Sequence, residues 1–476
     1  MTRASLRVVH VIQQVSGGGA ARIAVAQAAG GRALGDDHTI ASLLPPDARG
    51  ERIAAAANVP VITGAASALE ACRTSDIVQV HFWNSPELYA FLDALTHPLR
   101  IALLCQVAGD TAPHVLTADL VSWADCVVAG CPYTASLPVL KHPVNQGATP
   151  PAMIWSTIGF ERLAAVERQP NERFTIGYIG TVDFGKMHPA FVELHASPAL
   201  ASARMLVCGS GDGFRQLERD AARLGVRERF VFAGYTEDIG RVLAQCDVFG
   251  YPLRPGASSG AELVLQEAAY CGVPAVVLSH GGAATTVQHG VTGLIAGSEA
   301  DYAAALAELA TDASLRHRLG AGAAAFARQM FDTGRAAAAY RTLYDAMMQS
   351  SPRPRSLGYS SRSGAARFVA SLGVHGAAFQ RSLDDAGIST DCACDAGIAD
   401  APSQVVDAAS GGVLHYRRLY PGDPHLRLWS GLVLRTLGRR ALAAAEFNAA
   451  THDPRTARRA RAYLDELLVT PMPAAS

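Results

Sequence analysis

Charge is scarce in this chain, and its signs cancel. Only 17% of the 476 residues are Asp, Glu, Lys or Arg, and 41 basic residues stand against 42 acidic ones, a formal net charge of −1. That leaves no basic stripe for a nucleic-acid backbone and no polybasic patch for an anionic bilayer, so neither class of partner is expected. Long apolar runs are missing too. The run after Met1-Thr-Arg-Ala-Ser-Leu-Arg is too short for a signal peptide, and no stretch reaches the roughly 20 residues of a membrane-spanning helix. The expectation is a protein inside the cell, cytoplasmic or loosely held at the inner face of the membrane. Cysteines number nine, an odd count without zinc-ligand spacing, which fits reduced thiols better than a disulfide framework. Cys392-Ala-Cys394 is the only close pair and reads as incidental. No Asp-x-Asp metal motif is apparent.

What is present is apolar and periodic. Hydrophobic residues make up 49% of a chain long enough for two or three domains. Short buried-type runs at Arg7–Ile12, Thr39–Leu44, Ile77–Phe82, Ile101–Val107 and Cys126–Ala129 alternate with helical stretches such as Glu51–Ala57 and Pro86–Leu95. A parallel sheet with helices on both faces follows. The pattern begins again at Phe174-Thr-Ile-Gly-Tyr-Ile-Gly and continues through Met205–Cys208, Phe230–Ala233, Asp247–Tyr251 and Ala275–Leu278. The domains are therefore drawn at 1–165, 166–350, a Pro-, Ser- and Gly-rich linker at 351–363, and a wholly helical region at 364–476. Within the last, Leu428–Gly438 followed by Ala443, Phe447 and Ala450 resembles one tetratricopeptide-type helix pair. This tail either docks on the catalytic body or offers a groove to a protein partner or a peripheral membrane contact.

The stretch carrying most chemistry runs from the turn-rich loop Pro252–Gly260 into a helix opening at about Glu262, with Glu267 among apolar neighbours, and stops at Gly272 before Val273-Pro274. First-turn N–H groups have no intrahelical partner and favour an anion. Upstream, Ser16-Gly-Gly-Gly-Ala links a strand to a helix, and His81 ends another strand. Ligands collect at the carboxyl ends of strands in such sheets. On these residues alone, a plain tight turn at Ser16–Gly19 and a structural role for His81 stand beside the functional readings.

Glu267-Ala-Ala-Tyr-Cys-Gly-Val-Pro, then Gly281-Gly282 and His289-Gly-Val-Thr-Gly-Leu, resemble the donor-binding signature of retaining GT-B glycosyltransferases of family 4, over residues 7–348. The resemblance implies two Rossmann-like domains facing a cleft and a nucleotide-diphosphate sugar as donor. The acceptor would be a glycan, a lipid-linked sugar or a small molecule, and no metal or other cofactor would be needed. By the same resemblance Glu267 meets the nucleotide ribose, Lys186 the diphosphate, Gly18 and Gly19 the phosphates, Tyr235 the segment along the base, and His81 the transferred sugar. The chain departs from the pattern at three positions. Ser259 stands where the first of two glutamates is usual, so the sugar-side role passes to Glu262 beside Leu263. Thr181 replaces an arginine, leaving Arg254 as the substitute cation, and Thr285 replaces a glutamate. Those changes keep two other readings open, a GT-B epimerase or hydrolase and a degenerate sugar-binding or scaffold protein.

Overall fold

A computed structural model describes residues 4–141, 151–168, 171–385 and 393–469. The sequence also suggests an irregular link at about 148–171, and part of it, including Pro150, lies outside the described residues, as does Cys392. Two compact units emerge, one of residues 1–81, 100–109 and 124–351, the other of 82–99, 110–123 and 352–476.

The first unit holds two sheets. Strands β1 (Arg7–Gln14), β2 (Asp37–Leu44), β3 (Val61–Thr63), β4 (Ile77–Phe82), β5 (Ile101–Cys105), β6 (Cys126–Ala129) and β7 (Ala152–Met153) lie in the order β3-β2-β1-β4-β5-β6-β7. The second sheet, β8 (Thr175–Thr181), β9 (Arg204–Ser210), β10 (Phe230–Gly234), β11 (Val248–Tyr251), β12 (Ala275–Leu278) and β13 (Gly293–Ala296), runs β10-β9-β8-β11-β12-β13. Both orders reverse beside their first strand, leaving a crevice at the strand carboxyl ends. β4, β5, β6, β11 and β12 are buried along their whole lengths, as a sheet covered on both faces requires.

Three helices place the site. α1 (Gly19–Ala33) follows β1 after the glycine loop, α2 (Leu263–Tyr270) precedes β12, and α3 (Thr333–Met348) returns to pack against α1. That return is sealed by Gln27 Nε2, which donates to the Tyr340 hydroxyl at 2.9 Å, and by the ion pair of Arg341 with Asp36. Two Rossmann-like sheets are what the resemblance to GT-B enzymes implies.

In the second unit the tail helices share one core, built around Phe368, Phe379, Trp429 and Phe447. Pro424–Thr436 and Arg440–Ala450 form the helix pair expected from sequence. The tail does not stand apart from the first half, however. Tyr89 stacks on Tyr359, Glu87 pairs with His415, and Asn84 bonds to Ser371 and Tyr416. Among the described residues seven cysteines are not in disulfides, while Cys394 is disulfide-bonded, a departure from the all-reduced expectation. Burial pushes the thiols of Cys72, Cys126 and Cys246 up to about 12, so these stay protonated and inert. No helix among the described residues is long and apolar enough to cross a membrane.

Candidate functional site

The loop after β11 and the segment after β8 are held side by side by main-chain bonds. His188 donates to the Pro252 carbonyl and Arg254 to the Lys186 carbonyl, each at 3.0 Å. Lys186 is thereby set opposite the start of α2, where its ammonium donates to Glu262 Oε2 at 3.0 Å, and the Tyr251 hydroxyl donates to the same oxygen at 2.6 Å. Burial alone would lower the lysine pKa, but the charge interactions with Glu262 and Tyr178 and the hydrogen bond to Glu262 outweigh it, and the value rises. The ammonium is therefore a permanent cation. Glu262 is the residue capping α2 rather than its first helical residue, and it holds a left-handed backbone at φ +34°. A side chain in that region carries strain of roughly 1–3 kcal/mol, which the surroundings must hold.

Glu267 lies one turn into α2 and is only 3% exposed. Its Oε1 accepts from Arg22 on α1 at 3.1 Å and from Arg162. Burial lowers the Arg22 pKa more than Glu267 raises it. Neither arginine was identified from sequence, and neither has a local signal. Arg22 lies one turn past the glycine loop and Arg162 follows Ile158-Gly-Phe, but only the fold brings them to a carboxylate distant in the chain.

The remaining sequence candidates fall into two groups. Gly19 opens α1, and a Cβ there would stand 3.3 Å from Leu263 Cδ1, so the glycine loop and the start of α2 are in contact. Gly18 caps α1 with extended backbone. Tyr235, 51% exposed, carries the Arg49 guanidinium 4.9 Å from its ring centroid. Thr181 is exposed at the end of β8, and its carbonyl accepts from the Tyr178 hydroxyl. Ser259 turns inward: its Oγ accepts from Ala283 N–H at 3.0 Å and its carbonyl from Gly282 N–H, tying the loop to the Gly281-Gly282 turn. Thr285 likewise bonds the Gly282 carbonyl. His81 is buried, 1% exposed, with Nε2 3.0 Å from His10 Nδ1 and Nδ1 2.6 Å from Gln106 Nε2. Both ring nitrogens are thus engaged within the protein. Among the described residues no three His, Cys, Asp or Glu side chains converge as a metal site would need.

Residues 173–312, which contain β8 to β13, Lys186 and all of α2, match the family model described as Glycosyl transferases group 1. Over 286 residues the chain is 30% identical to a D-inositol 3-phosphate glycosyltransferase of Stackebrandtia nassauensis, covering 52% of this chain and 63% of that protein. It is 35% identical over 127 residues to a GDP-mannose-dependent alpha-(1-6)-phosphatidylinositol monomannoside mannosyltransferase of Mycobacterium tuberculosis, covering 25% of this chain and 33% of that one. The chain thus spans less than two thirds of the length of these curated relatives. Among solved structures, Anabaena HepE in complex with UDP-glucose superposes with a TM-score of 0.60 at 18% identity, over 72% of this chain and 100% of that one.

Proposed function

We propose that the protein moves a sugar from a nucleotide-diphosphate sugar to an acceptor hydroxyl on a glycan, a lipid-linked sugar or a small molecule. In this reading the configuration at the sugar is retained and no metal takes part. The reading rests chiefly on the Lys186–Glu262 pair at the amino end of α2, inside the stretch matched by the group 1 model. As the bond from the sugar to the diphosphate breaks, negative charge grows on the leaving phosphate. A permanent ammonium and the unpaired N–H groups of a helix start are already in place to receive it, so little reorganisation is needed. Glu262, strained and shared between Lys186 and Tyr251, lies where it can exchange part of that pairing for the sugar side of the donor. Glu267 and the two arginines form the ribose end of the site. The names of the relatives and of HepE, which involve GDP-mannose and UDP-glucose, support a nucleotide-sugar donor.

The test is thermal stabilisation by UDP-, GDP- and ADP-sugars, followed by turnover with the best donor in excess EDTA. Stabilisation with transfer that survives EDTA is expected. Donor consumed without any acceptor would replace this reading with hydrolysis or epimerisation. Stabilisation with no turnover under any acceptor would leave a sugar-binding protein.

A further inference from the structure

His10, His38 and His81 form a staircase across three neighbouring strands. His10 on β1 is level with Ile40 of β2 and with Gln79 of β4. Since side chains alternate between faces, His38 two residues before Ile40 and His81 two residues after Gln79 share its face. Their rings join in a chain. Gln106 Nε2 meets His81 Nδ1 at 2.6 Å, His81 Nε2 meets His10 Nδ1 at 3.0 Å, and His10 Nε2 meets His38 Nδ1 at 2.8 Å. Burial holds all three imidazoles neutral, His10 well below its ordinary value, His38 down to about 4 and His81 to about 3.

A neutral imidazole has one donor and one acceptor, so such a chain has a single polarity throughout. Its two ends decide which. At the far end His38 Nε2 has no protein partner and opens on a small cavity lined by Asp36, Arg341 and Tyr344, where Asp36 Oδ2 is also unpartnered. A carboxylate in that cavity favours the Nε2–H tautomer of His38. His38 Nδ1 then accepts from His10 Nε2–H, His10 Nδ1 accepts from His81 Nε2–H, and His81 Nδ1 accepts from the Gln106 amide nitrogen. At the near end Gln106, 8% exposed, is left with a buried carbonyl oxygen, Oε1, that has no partner. Gln106 stands just past the carboxyl end of β5, and a Cβ at Gly260, two residues before the cap of α2, would come within 2.2 Å of its main-chain oxygen. The unpartnered oxygen therefore belongs to a residue packed against the loop that leads into α2.

We propose that Gln106, rather than His81, meets the transferred sugar, and that His10 and His38 are positioning residues: their chain holds the Gln106 amide with its oxygen offered to a sugar hydroxyl. The inference rests on the donor-sugar reading above. UDP-glucose and GDP-mannose, each beside UDP and GDP, are the probes, titrated calorimetrically into the full chain. Gln106→Leu is expected to weaken the sugar nucleotide bound by the wild type about tenfold and to leave the matching nucleotide within twofold. His10→Phe shows the same split to a smaller degree, and His10→Gln, whose amide carries both an acceptor and a donor, restores it. In the wild type, long-range imidazole 15N spectra at neutral pH are expected to show His81 and His10 as Nε2–H tautomers, with that preference lost at His81 in His10→Phe.

Equal losses for nucleotide and sugar nucleotide, no loss in Gln106→Leu, or an Nδ1–H tautomer at His81 would each overturn the proposal. If the wild type bound neither sugar nucleotide nor nucleotide, the donor reading itself would fall. Binding of the wild type without the split in Gln106→Leu removes only this inference.

Discussion

At the scale of single residues, the site is a set of charges that the fold has already paired. Glu267 is the plainest case. Its carboxylate neutralises Arg22 and Arg162, and in the proposed reading it also meets the ribose of the donor. Glu267→Gln keeps the shape and removes the charge. It should lower nucleotide affinity by roughly 1.5–3 kcal/mol and also lower the unfolding midpoint, because two guanidinium groups lose their partner. Calorimetric titration with UDP or GDP beside urea unfolding separates the two effects, and unchanged nucleotide affinity in the folded variant would return Glu267 to a purely structural role. The buried histidines set a second expectation. His38 and His195 are held down to about 4, and His81 and His114 to about 3, in each case first by burial. The unfolded chain binds protons at about 6.5 where the folded chain does not, so the stability these groups confer is complete above that pH and is lost as pH falls toward 4. Each contributes a slope of about 1.4 kcal/mol per pH unit in that window. Urea midpoints measured from pH 7 to 4.5 should fall steeply, and the fall should shrink in His38→Asn. A flat profile would mean the imidazoles are charged in the folded protein.

At the scale of elements, close approach between loops is what assembles the site, and glycines permit it. Gly260 lets the α2 loop lie on the backbone of Gln106 and Val107. Gly260→Ala should force those loops apart, lowering sugar-nucleotide affinity while the sheets remain folded by circular dichroism; a variant with unaltered affinity would show the contact is not needed. Gly209 is tighter still: at φ +153° a Cβ would lie 1.8 Å from the Gly180 carbonyl, where β9 and β8 end together. Gly209→Ala should cost about 2 kcal/mol or more in chemical denaturation. The strands themselves were legible: Cys126–Ala129 and Ala275–Leu278 are continuous apolar runs, Ile77–Phe82 is apolar except at Gln79 and His81, and all three form strands over those same residues. Val61–Thr63 was not legible, because a half-exposed three-residue edge strand has no periodicity to display. The helix start at α2 was legible to one residue from turn chemistry and the Gly272 stop. Its charge partners were not, because Lys186, Arg22 and Arg162 reach it only through the packing of distant segments. The histidine staircase was hidden for the same reason: each ring sits in an ordinary strand, and only strand order and register align them.

At the scale of the whole molecule, the boundary expected between catalytic body and tail falls at Ser351 and Pro352, but the second unit also takes in 82–99 and 110–123. Removing residues 352–476 would strip Tyr359 from Tyr89, His415 from Glu87, and Ser371 and Tyr416 from Asn84, leaving buried polar and aromatic groups without partners. Such a truncation should unfold earlier on heating, bind a hydrophobic dye and lose hydrogen-exchange protection in 82–99. Unchanged protection there would show that the tail is a separable module after all. The residues proposed to hold the donor all lie in the first unit, so donor binding is the property to follow. Its most direct measurement is titration of the best-stabilising nucleotide sugar into wild type and Lys186→Ala, each with and without EDTA. Binding by the wild type that ignores EDTA and weakens at least tenfold in a folded Lys186→Ala is the predicted result. Equal affinity in the two proteins, or wild-type binding abolished by EDTA and restored by magnesium, would contradict it.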